Sequence, residues 1–177
     1  MPAGVTLPRR SAPPTPEHDL VVRPALAHGL GVFALRDLPA GVLLLEYTGE
    51  RISHAEGGAR YDDEREGYTH TLLFTVDART VIDGGTGGIG RYLNHSCEPS
   101  CESVIDDGRI FFESLRPIRA GEELTYDYRL RRPRPLPRDW RRRYACRCAA
   151  PRCRKTMLVR PPRAVTRARP ARRRATT

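Results

Sequence analysis

Lysine is almost missing from this chain: Lys155 is the only one in 177 residues, beside thirty arginines. Composition bias alone can produce such an arginine preference. Aromatic residues are few, at 7%, with one tryptophan, and no apolar run is long. Val42-Leu43-Leu44-Leu45 is far short of the roughly 18 apolar residues that a membrane span requires. The first twenty residues lack an apolar signal core and carry Pro8, Pro13, Pro14 and Pro16 instead. They read as a disordered leader, and a secretory signal is not expected. Sixteen prolines and fifteen glycines argue against long helices and for many turns. The five cysteines are an odd number, and three of them fall within eight residues. That density favours thiolates on a metal in a reducing compartment over a disulfide framework.

The chain is long enough for one domain with a real core and tails. Its net charge of +10 conceals a division. Residues 24–128 carry a net −9, whereas residues 129–177 carry a net +18. An acidic body is thus joined to a basic end, and the two should prefer different partners.

Short apolar runs punctuated by glycine predict strands. Val42–Tyr47 lies between Gly41 and Gly49, while Thr71–Val76 and Val81–Ile82 flank a turn at Asp77–Arg79. Ser103–Ile105 and Arg109–Phe112 enclose Asp106-Asp107-Gly108, the clearest hairpin signal in the chain. Ser53–Glu66 is polar enough for a helix, although Gly57 and Gly58 weaken it. Two stretches, Arg36–Leu44 and Arg116–Leu124, share an Ala-Gly turn feeding a strand, which is read as common turn chemistry. Prolines make Arg131–Pro137 an extended linker, and an Arg/Pro/Ala tail lies beyond Leu158.

Three segments carry chemistry, in order: Arg91-Tyr92-Leu93-Asn94-His95-Ser96-Cys97, Glu123-Leu124-Thr125-Tyr126-Asp127-Tyr128, and Cys146-Arg147-Cys148 with Cys153. Tyr126 and Tyr128, two apart on an extended segment, can point to one side. Upstream, Gly29-Leu30-Gly31 after His28 lets backbone come close to a ligand and expose N–H groups, though a plain tight turn has the same pattern. Cys146, Cys148 and Cys153 need a fourth ligand for a closed tetrahedral zinc site, and Cys97 and Cys101 are the two cysteines left.

Taken in this order, the segments resemble the SET domain with a cysteine-rich post-SET extension, the protein-lysine methyltransferase family. The resemblance implies a mostly β fold of small curved sheets with a knot-like C-terminal crossing. It implies that S-adenosyl-L-methionine (SAM) is held by His28, Gly29, Leu30, Gly31, Arg91, Asn94 and His95, with Met157 and Leu158 closing over it. It implies catalysis by Tyr128, Tyr126 and Tyr47, with Tyr47, Tyr126 and Phe74 lining a substrate-lysine channel. A tyrosine at the place of Tyr126 often restricts the family's product to fewer methyl groups. Among the two candidates for the fourth zinc ligand, the resemblance selects Cys97. Two departures stand out: Ser100 takes the place of a usual asparagine, and the Gly84–Gly90 loop is short. For each site residue a structural role is the alternative: core packing for the tyrosines, a hydrogen-bonded polar corner for Asn94 and His95, an ion pair for Arg91.

Methyl transfer needs a neutral amine, and neutralising a lysine at pH 7 costs roughly 4.6 kcal/mol. The motifs offer no carboxylate pair or Ser/His/Asp triad, which leaves an apolar channel and a neighbouring sulfonium charge to disfavour the ammonium. His95 as a general base is the alternative. The expected organisation is a leader over 1–20, a SET domain over 21–130, a linker and zinc segment over 131–158, and a disordered tail from 159. The expected partner is a lysine-bearing basic protein, a histone or nucleoid protein, with nucleic acid held non-specifically by the tail. The chain is taken as a cytoplasmic monomer, at the nucleoid or in the nucleus if chromatin is the target. Export to a host cell stays open. The competing reading is a catalytically weak SET-like module that binds chromatin or nucleoid through its basic tail.

Overall fold

The computed structural model describes residues 19–25, 29–61, 72–132 and 135–159. His28, the leader up to residue 18 and the tail from residue 160 lie outside them. Short apolar segments bounded by turn residues become strands here, as their length requires. A hairpin of β1 (Leu20–Pro24) and β2 (Leu30–Ala34) opens the fold, with Leu20 opposite Ala34. The sheet therefore begins one residue ahead of the expected domain start, and Asp19 is already buried against Arg36 at 2.7 Å. β3 (Leu43–Tyr47), β7 (Asn94–His95), β8 (Cys101–Asp106), β9 (Arg109–Ser114) and β10 (Glu123–Tyr126) complete this sheet. Its order is β1-β2-β10-β8-β9-β3, with β7 also paired to β10. A second sheet has the order β4 (Glu50–Ser53), β6 (Thr80–Asp83), β5 (Leu73–Thr75).

The hairpin expected at Asp106–Gly108 joins β8 to β9, with Asp106 opposite Arg109. Asp107 and Gly108 both take positive φ, 46° and 70°, the pair of left-handed residues that matches the strands' twist. The two Ala-Gly stretches share more than turn chemistry, because they pair with each other. Leu38 donates to the Ile118 carbonyl at 2.8 Å and Ile118 returns the bond at 2.9 Å. Gly41 N–H reaches Ser114 O and Gly121 N–H reaches Ala34 O, an arrangement related by a local two-fold. Sequence comparison at this spacing could not show it, since only the turns look alike.

α1 spans His54–Arg60, with the Ser53 hydroxyl capping Glu56 N–H at 3.1 Å. It ends short of the expected Glu66, which lies outside the described residues, as does Thr71 of the expected strand. Gly57 costs helix propensity, yet a Cβ there would come within 2.9 Å of Leu73. The small residue lets α1 sit against β5 and β6. The core is formed by Val32, Leu44, Leu45, Ile110, Phe112, Ile118 and Leu124, all nearly inaccessible. The segment expected as linker and zinc loop contains one helical turn, α2 (Trp140–Arg143). The bridge Ala145–Thr156 closes the chain beyond that turn on itself, and the bridge Leu130–Leu158 ties its end back to the body. No described helix is long and apolar enough to cross a membrane.

Ile118 sits at the junction of the paired turns and is 1% exposed, whereas nearby Leu115 is 47% exposed. Ile118→Ala should cost about 2–5 kcal/mol of unfolding free energy in urea titration, and Leu115→Ala about 0.5 kcal/mol or less.

Candidate functional site

Strand pairing gathers the aromatic residues. β10 lies between β2 on one side and β7 and β8 on the other, with Tyr126 opposite both His95 and Cys101. Tyr126 and Tyr128 meet at a ring-centroid distance of 4.8 Å. Phe74, from the second sheet, stacks on Tyr126 at 5.9 Å and reaches Tyr47 at 5.3 Å. Phe112 closes the group, 4.7 Å from Tyr126 and 6.4 Å from Tyr47. The four aromatics singled out in the sequence therefore share one cluster, and Phe112 is a fifth that the sequence reading missed. Its inward place on β9, two residues after Ile110, was the available signal.

Hydrogen bonds fix the outer two phenols. Tyr47 OH donates to Leu72 O at 2.5 Å and Tyr128 OH donates to Leu93 O at 2.9 Å. Burial pushes the Tyr128 phenol up to about 12, helped by the Glu123 carboxylate. Burial raises Tyr126 and Tyr47 as well, each further disfavoured as an anion by neighbouring phenols. All three hydroxyls stay protonated at neutral pH, so none of them is a ready-made base.

A second corner joins the glycine turn to the Asn-His segment. Asn94 Nδ2 donates to Leu30 O at 3.0 Å and to Glu123 Oε1 at 2.7 Å. A Cβ at Gly31 would lie 2.5 Å from that same Glu123 oxygen, so glycine is what admits the carboxylate. Gly29, at φ +40°, makes the turn into β2. Glu123 is a residue that sequence reasoning left out, although it opens the Glu-Leu-Thr-Tyr-Asp-Tyr run. His95 is buried, and its Nδ1 accepts Tyr128 N–H at 3.1 Å. Nε2 then keeps the proton and faces Cys97 Sγ at 3.4 Å. With its basic lone pair occupied by a backbone amide, His95 is poorly placed as a general base. Arg91 makes no ion pair among the described residues; its guanidinium binds Gly85 O and the Tyr92 hydroxyl and lies over the Tyr92 ring.

Ser100, in place of the usual asparagine, is fully buried. Its hydroxyl accepts Thr125 N–H at 3.0 Å and so fastens β10 beside the start of β8. Leu158 is likewise fully enclosed. The Leu130–Leu158 bridge holds it against the chain that follows β10. Its role is to seat the segment.

The thiols of Cys97, Cys146, Cys148 and Cys153 all lie within 4.8 Å of one another, with Cys97 and Cys146 3.6 Å apart. Cys101 is separate, packed in β8 beside Ser100, and burial pushes its thiol up to about 11. Cys97 accepts the N–H of Arg154, Cys148 that of Cys97, and Cys153 that of Lys155, at 3.3–3.5 Å. Burial works against the Cys148 thiolate, but backbone N–H groups of Cys97 and Ala150 and the adjoining thiols outweigh it, setting the group at about 6. Four clustered thiols with amide donors aimed at sulfur could hold a metal ion.

A family model described as the SET domain matches residues 29–129. The chain belongs to the SET domain family. It is similar to the "Histone-lysine N-methyltransferase, H3 lysine-4 specific" of Eremothecium gossypii, 41% identical over 132 residues, or 71% of this chain and 13% of that protein. The protein of the same name from Saccharomyces cerevisiae is 40% identical over 132 residues, 71% of this chain and 12% of its own length. "Histone-lysine N-methyltransferase trr" of Drosophila melanogaster is 36% identical over 137 residues, 73% of this chain and 5% of its own. This SET chain thus spans about an eighth or less of the length of these relatives.

Behind the aromatic cluster, Asp83 holds the short glycine loop in place. Its carboxylate accepts Tyr61 OH at 2.6 Å, Gly85 N–H at 2.9 Å and Arg60 at 2.9 Å. A Cβ on Gly84 would be 2.3 Å from the Tyr47 hydroxyl, so the loop backbone forms a wall against that phenol. Burial would raise the Asp83 pKa, but Tyr61, the Gly85 amide and Arg60 outweigh it and lower the group. A depressed folded pKa gives stability that is present above the unfolded carboxylate range and lost as pH falls. Asp83→Asn should cost about 1–3 kcal/mol near neutrality. The gap to the parent protein should close below about pH 4 in urea titrations run across pH.

Proposed function

We propose that this SET chain is a protein-lysine N-methyltransferase, transferring methyl from SAM to the ε-amine of a lysine in a basic protein of histone type. The observation that carries the reading is the meeting of Tyr47, Phe74, Phe112, Tyr126 and Tyr128 beside the Asn94–Glu123–Leu30 corner. The names of the relatives, given for histone lysine, support the substrate class. They favour histones over a nucleoid protein, and hence a place at chromatin.

The residues fit the cofactor in kind. Leu30 is 44% exposed and stands where Asn94 and the turn backbone converge, an apolar side chain next to amide groups, as an adenosine with an amino-acid end requires. Gly29, Leu30, Gly31, Asn94 and the His95 backbone would hold it, with Arg91 and Met157 at the margins. When bound, SAM supplies the electrophilic methyl group and a positive charge. The protein's part is to present a neutral amine. A desolvated site beside the sulfonium charge would disfavour the ammonium, which favours the free base. The Tyr128 and Tyr47 hydroxyls, held by carbonyls and still protonated, orient dipoles without taking the proton. Alignment is the main source of rate in such a site. Tyr126 stands among Phe74, Phe112 and Tyr128 and narrows the space for a methylated amine.

Zinc fits the four thiols. Thiolates about 2.3 Å from a zinc stand roughly 3.8 Å apart, close to the spacing found. Cys97, Cys146, Cys148 and Cys153 would bind it, with no part in the methyl transfer itself. The tie would fasten the segment through Leu158 onto the body.

The reading is tested by labelled-SAM transfer onto a panel of histones and nucleoid proteins, with mass mapping of the product. Tyr128→Phe should lose on the order of 100-fold in turnover while SAM affinity is kept, and Tyr126→Phe should shift the product toward more methyl groups. No label transfer to any histone from a folded, SAM-binding protein would reject the enzyme and leave a binding module. Stripping the metal with a strong chelator should abolish activity. Amide exchange protection should also vanish at Met157 and Val159, whose N–H groups bond Tyr144 O and Leu130 O, and stay at the β8–β9 hairpin. Unchanged protection would show that zinc does not clamp this segment.

A further inference from the structure

The basic end of the described chain is built, not loose. Around α2, Trp140 N–H bonds Pro137 O at 3.1 Å, Arg142 N–H bonds Asp139 O at 2.9 Å, and Tyr144 N–H bonds Trp140 O at 2.9 Å. Met157 N–H then reaches Tyr144 O at 3.0 Å, so this turn is joined to the segment that closes on the SET body. On it, the guanidinium groups of Arg132 and Arg141 lie 5.2 and 5.1 Å from the Trp140 ring centre. The single tryptophan acts as a shelf that fixes two cations.

These arginines differ in what they hold from four that anchor the body. Arg36, Arg60, Arg109 and Arg116 are each bound to a carboxylate. On the basic end, Asp139 takes Arg142 and Arg143. Among the described residues, Arg131, Arg132, Arg138, Arg141 and Arg147 have no acidic partner, and all but Arg132 are exposed. Exposed guanidinium groups without an acidic partner on an ordered segment leave positive charge in excess, which rewards an anionic partner.

We propose that this arginine surface around Trp140 binds the phosphate backbone of duplex nucleic acid, independently of the methyl-transfer reading. Spaced guanidinium groups suit a line of phosphates. The Trp140 ring already carries guanidinium groups, so a base would have to displace an arginine to stack there. That disfavours single strands, which depend on stacking. An anionic membrane fits less well, because the ring is covered and its neighbours are arginine, proline and aspartate rather than the apolar face such surfaces use.

The test uses the full chain and a labelled 30-base-pair duplex of random sequence, with affinity read by fluorescence anisotropy across salt concentration. Each phosphate contact contributes about −0.9 to the slope of log affinity against log salt. In the triple variant Arg131→Gln, Arg138→Gln, Arg141→Gln the slope should therefore shallow by about 2.7. Contacts made by residues 160–177 are common to both proteins and cancel in this difference. Arg141→Lys, which keeps the charge, should leave the slope in place, and SAM affinity and zinc content should match the parent in every variant. An unchanged slope in the triple variant overturns the proposal. So does tighter binding to a single strand of equal length, or binding to phosphatidylserine vesicles without binding to the duplex.

Discussion

The site depends on where the last strand lies. β10 is held by β2 on one side and by β7 and β8 on the other, and residues from Glu123 to Tyr128 each meet a partner supplied by that placement. Glu123 binds Asn94 from β7, Thr125 N–H bonds Ser100 at the head of β8, and Tyr128 N–H bonds His95. Alternation along an extended chain then sends Tyr126 and Tyr128 into the aromatic cluster and turns Asp127 outward to Arg154, at 2.7 Å to both carboxylate oxygens. A one-residue slip of β10 would exchange these faces and dissolve both corners at once. Buried Ser100 guards against that slip.

Chemistry arises from the desolvation that this placement imposes. Three phenols share a cluster from which water is largely removed; burial raises all three, and Tyr128 adds to the cost of ionising both Tyr126 and Tyr47. A site of neutral hydroxyls and aromatic faces holds no phenolate ready to take a proton. His95 is the alternative base that the sequence offers, yet its Nδ1 is committed to a backbone amide. Burial here keeps the phenols uncharged.

Local features were the legible ones. Asp107-Gly108 forms a two-residue turn because both residues tolerate positive φ, and the short spacing of Cys146, Cys148 and Cys153 announces a shared centre. Cys97 joins them across a long stretch of chain; spacing alone left it level with Cys101, and the resemblance to SET domains separated the two. Long-range pairings were less visible. Glu123 reads as an ordinary strand carboxylate until Gly31 makes room for it, and Phe112 reads as plain core. Trp140 and its arginines lie in the segment expected as linker and zinc loop, where neighbouring prolines hide a single helical turn whose stability comes from packing and not from propensity.

The charge division acquires a geometric meaning once the thiol cluster is considered with it. Four thiolates around a divalent cation leave two negative charges in excess, and such a centre is stable when cations and amide donors surround it. Arg154 answers part of that need, since its backbone N–H bonds Cys97 Sγ and its guanidinium is raised in pKa by Asp127 first and by the nearby thiols as well. Arg154 is thereby consumed by the centre and its neighbours, as Arg142 and Arg143 are by Asp139. The arginines around Trp140 are answered by neither among the described residues. A segment so positive would be expected to drift away from itself in solution. What holds it as a defined surface is the bridge Ala145–Thr156 within the segment and the bridge Leu130–Leu158 to the SET body, so the contacts that close the segment beside the thiol cluster also set where the unbalanced charge faces.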